Sequence, residues 1–236
     1  MVPQNSGIKN IADLTGRSVG VPFGGGSHPY ILQRLGGEHG MKVGNGKDEV
    51  RLVNLKPPEQ ALALVRGEVD AVATWEPQTA ISLDKAEGKI IDEDIHVGFI
   101  TVRKNIAEKY PNKVVALLKA YIDANLFVAR NPNMVDAWFV KKSQFDSALL
   151  SRIKVIEPNI NADTIKDIDI FISDKDFLRS QKVADIMFEN GLTPKRVNIK
   201  GRTDMSYLER AIKDLSSEGT RKGEIVIETS RINAPR

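Results

Sequence analysis

The sequence predicts an α/β protein in which residues 1–100 build a mostly parallel sheet and the rest of the chain is helical. Three observations predict it. Short, β-branched apolar runs alternate with amphipathic stretches between Arg17 and Trp75. Glycine and proline punctuate each change of period. After Thr101 the apolar spacing becomes helical and stays so to Leu215.

Ile8–Leu14 (IKNIADL) reads as a short helical lead-in that Gly16 ends. Arg17–Pro22 (RSVGVP) is compact, apolar and β-branched, which predicts a buried strand. Phe23–Ser27 (FGGGS) follows as a glycine loop, then Pro29–Leu35 as a helix. Ser27 is placed to cap this helix, and Gly36, Gly37 and Gly40 are placed to end it. Val50–Leu55 (VRLVNL) alternates as a second strand. Pro57 and Pro58 introduce the helix Glu59–Arg66, stopped by Gly67. Val69–Trp75 (VDAVATW) reads as a third strand. Strands separated by single helices at this spacing predict parallel pairing through right-handed crossovers. Val97–Val102 (VGFITV) reads as one more strand. Helices are then expected at Asn112–Ala129, Met134–Lys141, Phe145–Ile153, Asp174–Glu189 (closed by Asn190–Gly191) and Met205–Leu215. Residues 216–236 are polar, with one β-like run at Glu224–Glu228.

Composition excludes several classes of function. The 236 residues carry no cysteine, which removes disulfides, thiolate nucleophiles, zinc–thiolate sites and iron–sulfur clusters. The net charge of +3 is spread over 34 basic and 31 acidic residues, and only 6% of residues are aromatic. That is neither the basic stripe duplex DNA needs nor a stacking surface for single strands, so no nucleic-acid partner is expected. No apolar run is long enough to span a membrane. Met1–Asn10 lacks the apolar core of a signal peptide. His28, His39 and His96 show neither i, i+4 nor HExxH spacing, so no metal site is expected. His39 and His96 read as loop residues, and the acidic run Asp92, Glu93, Asp94 as solvated charge. No nucleophile elbow is present, no residue is assigned a catalytic role, and no cofactor is implied.

The chemistry concentrates at Gly24, Gly25, Gly26 and Ser27. A strand that runs through glycines into a helix leaves backbone N–H groups unpaired, and the helix dipole draws an anion to them. Ser27 and His28 add side-chain hydrogen bonds, and His28 could carry charge near its ordinary value of ~6.5. The loop lacks the Gly-Lys-Ser/Thr of a P-loop and the spaced glycines of a dinucleotide fold. The competing reading is a tight turn with a helix cap. Trp75 and Glu76 follow the third strand, at the same carboxyl end where open α/β sheets hold ligands. Trp75 either walls an apolar ligand tail or packs in the core. Glu76 either holds a ligand amine or caps a helix before Pro77. Tyr30 is a further wall residue or a core tyrosine.

Three segments resemble one family in order and spacing: Ile8–Pro22 (IKNIADLTGRSVGVP), Gly67–Pro77 (GEVDAVATWEP) and Leu192–Pro194 (LTP) after Gly191. Together they are similar to the solute-binding proteins of ABC importers that capture aliphatic sulfonates, taurine or nitrate. The resemblance implies a periplasmic-binding-protein-like fold of the second type. Residues 1–100 would be a complete lobe, 101–215 the crossover strand and helices of an incomplete other lobe, and 216–236 a polar tail. It implies a small organic anion held between two lobes without catalysis. It also implies a membrane permease as partner and a periplasmic or lipoprotein location. Thr101 and Arg103, where the chain crosses back between lobes, become hinge candidates. Family members begin with a signal peptide and most of a first lobe, which have no counterpart before Val2–Gly7. Apolar faces on the helices after Thr101 are therefore expected to lie open or to be covered by an oligomer or partner chain. Two other readings share the fold: an enzyme acting on a sulfinate or a pyrimidine precursor, and an effector-sensing domain of a regulator.

Overall fold

The computed structural model describes residues 1–143, 145–150, 153 and 158–217. In chain order the strands are β1 Val2–Pro3, β2 Ser18–Val21, β3 Arg51–Asn54, β4 Ala71–Val72 and β5 Gly88–Lys89. The α-helices are α1 Ser27–Leu32, α2 Pro57–Val65, α3 Gln78–Lys85, α4 Lys104–Lys109, α5 Pro111–Arg130, α6 Pro132–Ser143, α7 Ser147–Leu150, α8 Asp174–Glu189 and α9 Ser206–Ser217. Contacts group the chain into two units. The first holds Met1–Gly98, Lys142–Val155 and Ile172–Thr203; the second holds Phe99–Lys141, Ile156–Phe171 and Asp204–Arg236.

The first unit is built on a parallel sheet of order β3-β2-β4. Val21 pairs with Asn54 across one side of β2, and Gly20 with Val72 across the other. The alternation of strand and helix that predicted parallel pairing is realised at all three strands. β2 is buried along its whole length because it is central and covered on both faces. Gly20 has no side chain for a packing reason: a Cβ there would lie 2.6 Å from Leu55 Cδ1. Val19, Val21, Ile31, Leu35, Val50 and Ala71 share one core, and Ala63, Leu64, Val69 and Val72 form another. β1 and β5 pair antiparallel beside them, a ribbon not foreseen from the sequence. Helix α8 packs on α1 within this unit.

Several expected details differ. The lead-in is a 3-10 turn, Ile11–Leu14, capped by the Asn10 side chain. Gly36 and Gly37 do not stop the helix that starts at Ser27. It continues as a π-helical turn, Gln33–Glu38, and ends at Gly40, whose φ of 63° only glycine adopts readily. Val97–Val102 is not a strand: it runs without a ladder partner, and Phe99, Ile100 and Val102 are exposed. A β-rich run becomes a strand only where another strand's backbone groups are within reach. Helices α3 and α4 are additional to those expected. The helix expected at Phe145–Ile153 is the single turn α7, and Glu224–Glu228 lies outside the described residues.

In the second unit α5 is the organising helix. Pro111 opens it, and Val115 and Ile122 are buried with Leu208, Ala211 and Leu215 of α9 and with Ala162 and Ile168. The other flank of α5 exposes Leu117 (51%) and Tyr121 (45%), and Ile106, Met134 and Phe139 are also open on this unit. Among the described residues no helix is long and apolar enough to cross a membrane.

Candidate functional site

Parallel strands bring their following loops to one end of the sheet. Asn54, at the end of β3, accepts the Phe23 N–H through Oδ1 at 3.0 Å. Ser27 Oγ donates to the Ala73 carbonyl just after β4 at 3.1 Å. The glycine loop and the Trp75 corner are thus tied to the same carboxyl edge. Beneath them Gln60, fully buried on α2, donates Nε2–H to the Ala73 carbonyl at 3.1 Å and to Gly20 at 3.4 Å. Gln60 Oε1 and the buried Thr74 hydroxyl find no partner among the described residues. Gln60 was missed in the sequence. Its only signal is an uncharged polar residue on the apolar side of a helix.

Gly24 adopts φ 75°, which lets the chain turn sharply out of β2. The Gly25 N–H donates to Pro22 O at 2.9 Å, and the Gly24 N–H to His28 Nδ1 at 3.4 Å. The N–H groups of Gly26 and Ser27 have no acceptor among the described residues. The open donors are therefore two adjacent amides rather than the whole loop. Ser27 is the first residue of α1 and not its cap, because its hydroxyl is spent on the Ala73 carbonyl.

His28 and Ser27 turn to opposite sides. His28 is buried, stacks on Phe23 at 4.7 Å between ring centroids, and lines a hollow of about 250 Å³ with Leu32, Val43, Leu52 and Leu192. Burial lowers its pKa below the ordinary 6.5, which favours the neutral ring. Because Nδ1 accepts from Gly24, the proton of the neutral ring sits on Nε2.

Trp75 is 45% exposed and is not a core residue. Glu76 takes the capping role: its carboxylate accepts the Ala80 N–H at 3.2 Å at the start of α3. Burial raises its pKa, an effect that this hydrogen bond opposes. Tyr30 donates its hydroxyl to the Ile95 carbonyl at 3.3 Å, and its ring lies 5.3 Å from that of His96. The acidic run is not simply solvated. Arg34 makes a two-pronged contact with Asp92, with Nε at 2.6 Å, and Arg179 of α8 reaches Asp94 at 3.5 Å. These contacts lay His96 over the loop, with its Cε1 3.6 Å from the position a Gly26 Cβ would take. Thr101 and Arg103 belong to the second unit, exposed just beyond the boundary at Gly98, and the Arg103 carbonyl starts α4. Among the described residues no group of histidines and carboxylates could hold a metal ion.

The parallel α/β unit belongs to a periplasmic-binding-protein-like fold. The solved structure of the periplasmic aliphatic sulphonate binding protein SsuA from Escherichia coli has this fold. It superposes with a TM-score of 0.69 at 22% identity, over 86% of this chain and 63% of that one. Residues 4–138 match the NMT1-like family, more than half of the chain, and the protein belongs to that family. One relative is named "Putative aliphatic sulfonates-binding protein" of Bacillus subtilis (strain 168). It is 28% identical over 93% of this chain and 64% of its own length. The taurine-binding periplasmic protein of Escherichia coli (strain K12) is 35% identical over 56% of this chain and 40% of its own length. The chain thus spans less than two thirds of the curated relatives it matches.

Proposed function

We propose that this chain is the ligand-binding lobe, with part of a second lobe, of a solute-binding protein that delivers a small organic anion to an ABC permease outside the cytoplasm. It binds without catalysing a reaction. The anion, an alkanesulfonate, taurine or nitrate, would accept from the Gly26 and Ser27 amides within the Gly24–Ser27 loop, with Tyr30 and Trp75 as walls. His28 would shape the loop from below through the Gly24 N–H, and Glu76 would hold α3 in place. Thr101 and Arg103 would lie in the hinge.

The observation that carries this reading is the Ser27–Ala73 hydrogen bond. It fastens the loop that bears two open amides to Ala73, two residues before the exposed Trp75, at the edge of a parallel sheet where ligands are held. The names of the relatives supply the ligand class. A sulfonate suits two fixed N–H donors because it keeps its charge at every physiological pH and offers three acceptor oxygens. The test is a thermal-shift panel of methanesulfonate, ethanesulfonate, taurine and nitrate. A binder at a hundred times its Kd stabilises the folded state by about 2.7 kcal/mol. A rise in midpoint with at least one of these is expected, and a flat response to all of them would remove the proposal.

A further inference from the structure

His96 carries no hydrogen bond or ion pair among the described residues, yet the segment that bears it is held at three successive points. Arg34 grips Asp92 with two nitrogens, Arg179 pairs with Asp94, and Tyr30 donates to the carbonyl of Ile95. The Asp94 carboxylate also accepts the Ile95 N–H at 2.7 Å. Residues 92–97 form neither helix nor strand, so these side chains do the work that a backbone ladder does elsewhere. They draw on both α1 and α8, and the residue they position is an exposed imidazole above Gly26. One side of the ring meets that of Tyr30, and the rest faces solvent and a glycine whose amide is open.

We propose that His96 is a ligand-contacting residue whose ring N–H donates to an oxygen of the anion seated on the Gly26 and Ser27 amides. The inference rests on the binding function proposed above. The ring's Cε1 lies 3.6 Å and its Nδ1 4.0 Å from the position a Gly26 Cβ would take, so a ring nitrogen stands beside the residue whose N–H is open. Three donors from two separated stretches of chain then surround one head group, two from the backbone and one from a side chain. Arg34, Arg179, Asp92 and Asp94 act as positioning residues and do not touch the ligand, while Tyr30 holds the Ile95 carbonyl and keeps its place as a wall of the site.

The experiment is isothermal titration of the chain with methanesulfonate, the smallest head group with the right chemistry, and with ethanesulfonate and taurine. His96→Ala is expected to weaken binding about tenfold or more, the loss of one hydrogen bond to a charged partner. His96→Gln keeps an N–H donor and is expected to stay within about threefold of the parent. Asp94→Asn is expected to weaken binding severalfold in the parent and to have no effect when combined with His96→Ala, since its action runs through His96. Because His96 is exposed, both His96 variants should keep the parent's thermal midpoint without ligand. If the parent binds and His96→Ala binds equally well, His96 does not contact the ligand and only this inference falls. If the parent binds none of the three probes, the proposed function falls and takes this inference with it.

Discussion

Replacing Gln60 by leucine removes a buried polar group from under the site and has a sign that can be worked out in advance. Gln60 is 0% exposed, and its amide donates to two carbonyls while its own oxygen is unpartnered among the described residues. Neither carbonyl is stranded by the change. Gly20 O still accepts the Ala73 N–H at 2.9 Å, and Ala73 O still accepts from Ser27 Oγ at 3.1 Å. The 3.1 Å hydrogen bond is worth about 1 kcal/mol and the long 3.4 Å one adds little, whereas the unpaired buried oxygen costs about 1–3 kcal/mol in the parent. Leucine has nearly the same bulk, so no cavity forms. The expected result is a folded state as stable as the parent or up to about 2 kcal/mol more stable. Gln60→Ala empties the space and should cost about 2–3 kcal/mol. The assay is urea unfolding followed by Trp75 fluorescence in a Trp138→Phe background, which reports the first unit alone. A loss above about 2 kcal/mol in Gln60→Leu would show that its oxygen is well bonded in the folded protein and would refute the reasoning.

Three further outcomes follow from the same structure. His28 has a lowered folded pKa, so the unfolded chain binds protons more readily. The stability this contributes is full above pH 6.5 and is lost as pH falls through the folded value, and His28→Gln should flatten that fall in a pH series of urea midpoints. Glu76 has a raised folded pKa, so its contribution runs the other way. Stability is full below the ordinary value of 4.5 and declines as pH rises through the folded value, and Glu76→Gln should abolish that decline while keeping an acceptor for Ala80 N–H. Ile122→Ala should cost the second unit about 2–5 kcal/mol, because Ile122 is 1% exposed between α5 and α9; Trp138 fluorescence in a Trp75→Phe background reads it.

What could be read from the sequence was what local pattern controls. The run RSVGVP is buried on every residue of its strand because nothing but a central position suits it. Helix α8 begins and ends where Ser173 caps it and where Gly191 leaves it with φ 70°. Errors came where a distant partner decides. Ser27 looked like a cap but its hydroxyl goes to Ala73, 46 positions away. Val97–Val102 had strand chemistry and no strand to join. Asp92 and Asp94 looked solvated until Arg34 and Arg179 arrived from two different helices. His96 joined the site by that same route, and no spacing rule links it to Gly26. The glycine loop and Trp75 were legible because parallel strands put every following loop at one edge.

The central claim is that two backbone amides at that edge hold the head group of an organic anion. Titrating the ¹⁵N-labelled chain with methanesulfonate and following the amide resonances of Gly24 to His28 tests it at the atoms concerned. The account predicts saturable downfield shifts of the Gly26 and Ser27 amide protons with one common binding constant. If those two resonances stay in place while the anion binds elsewhere, or nothing in the spectrum moves at saturating concentration, the account is contradicted.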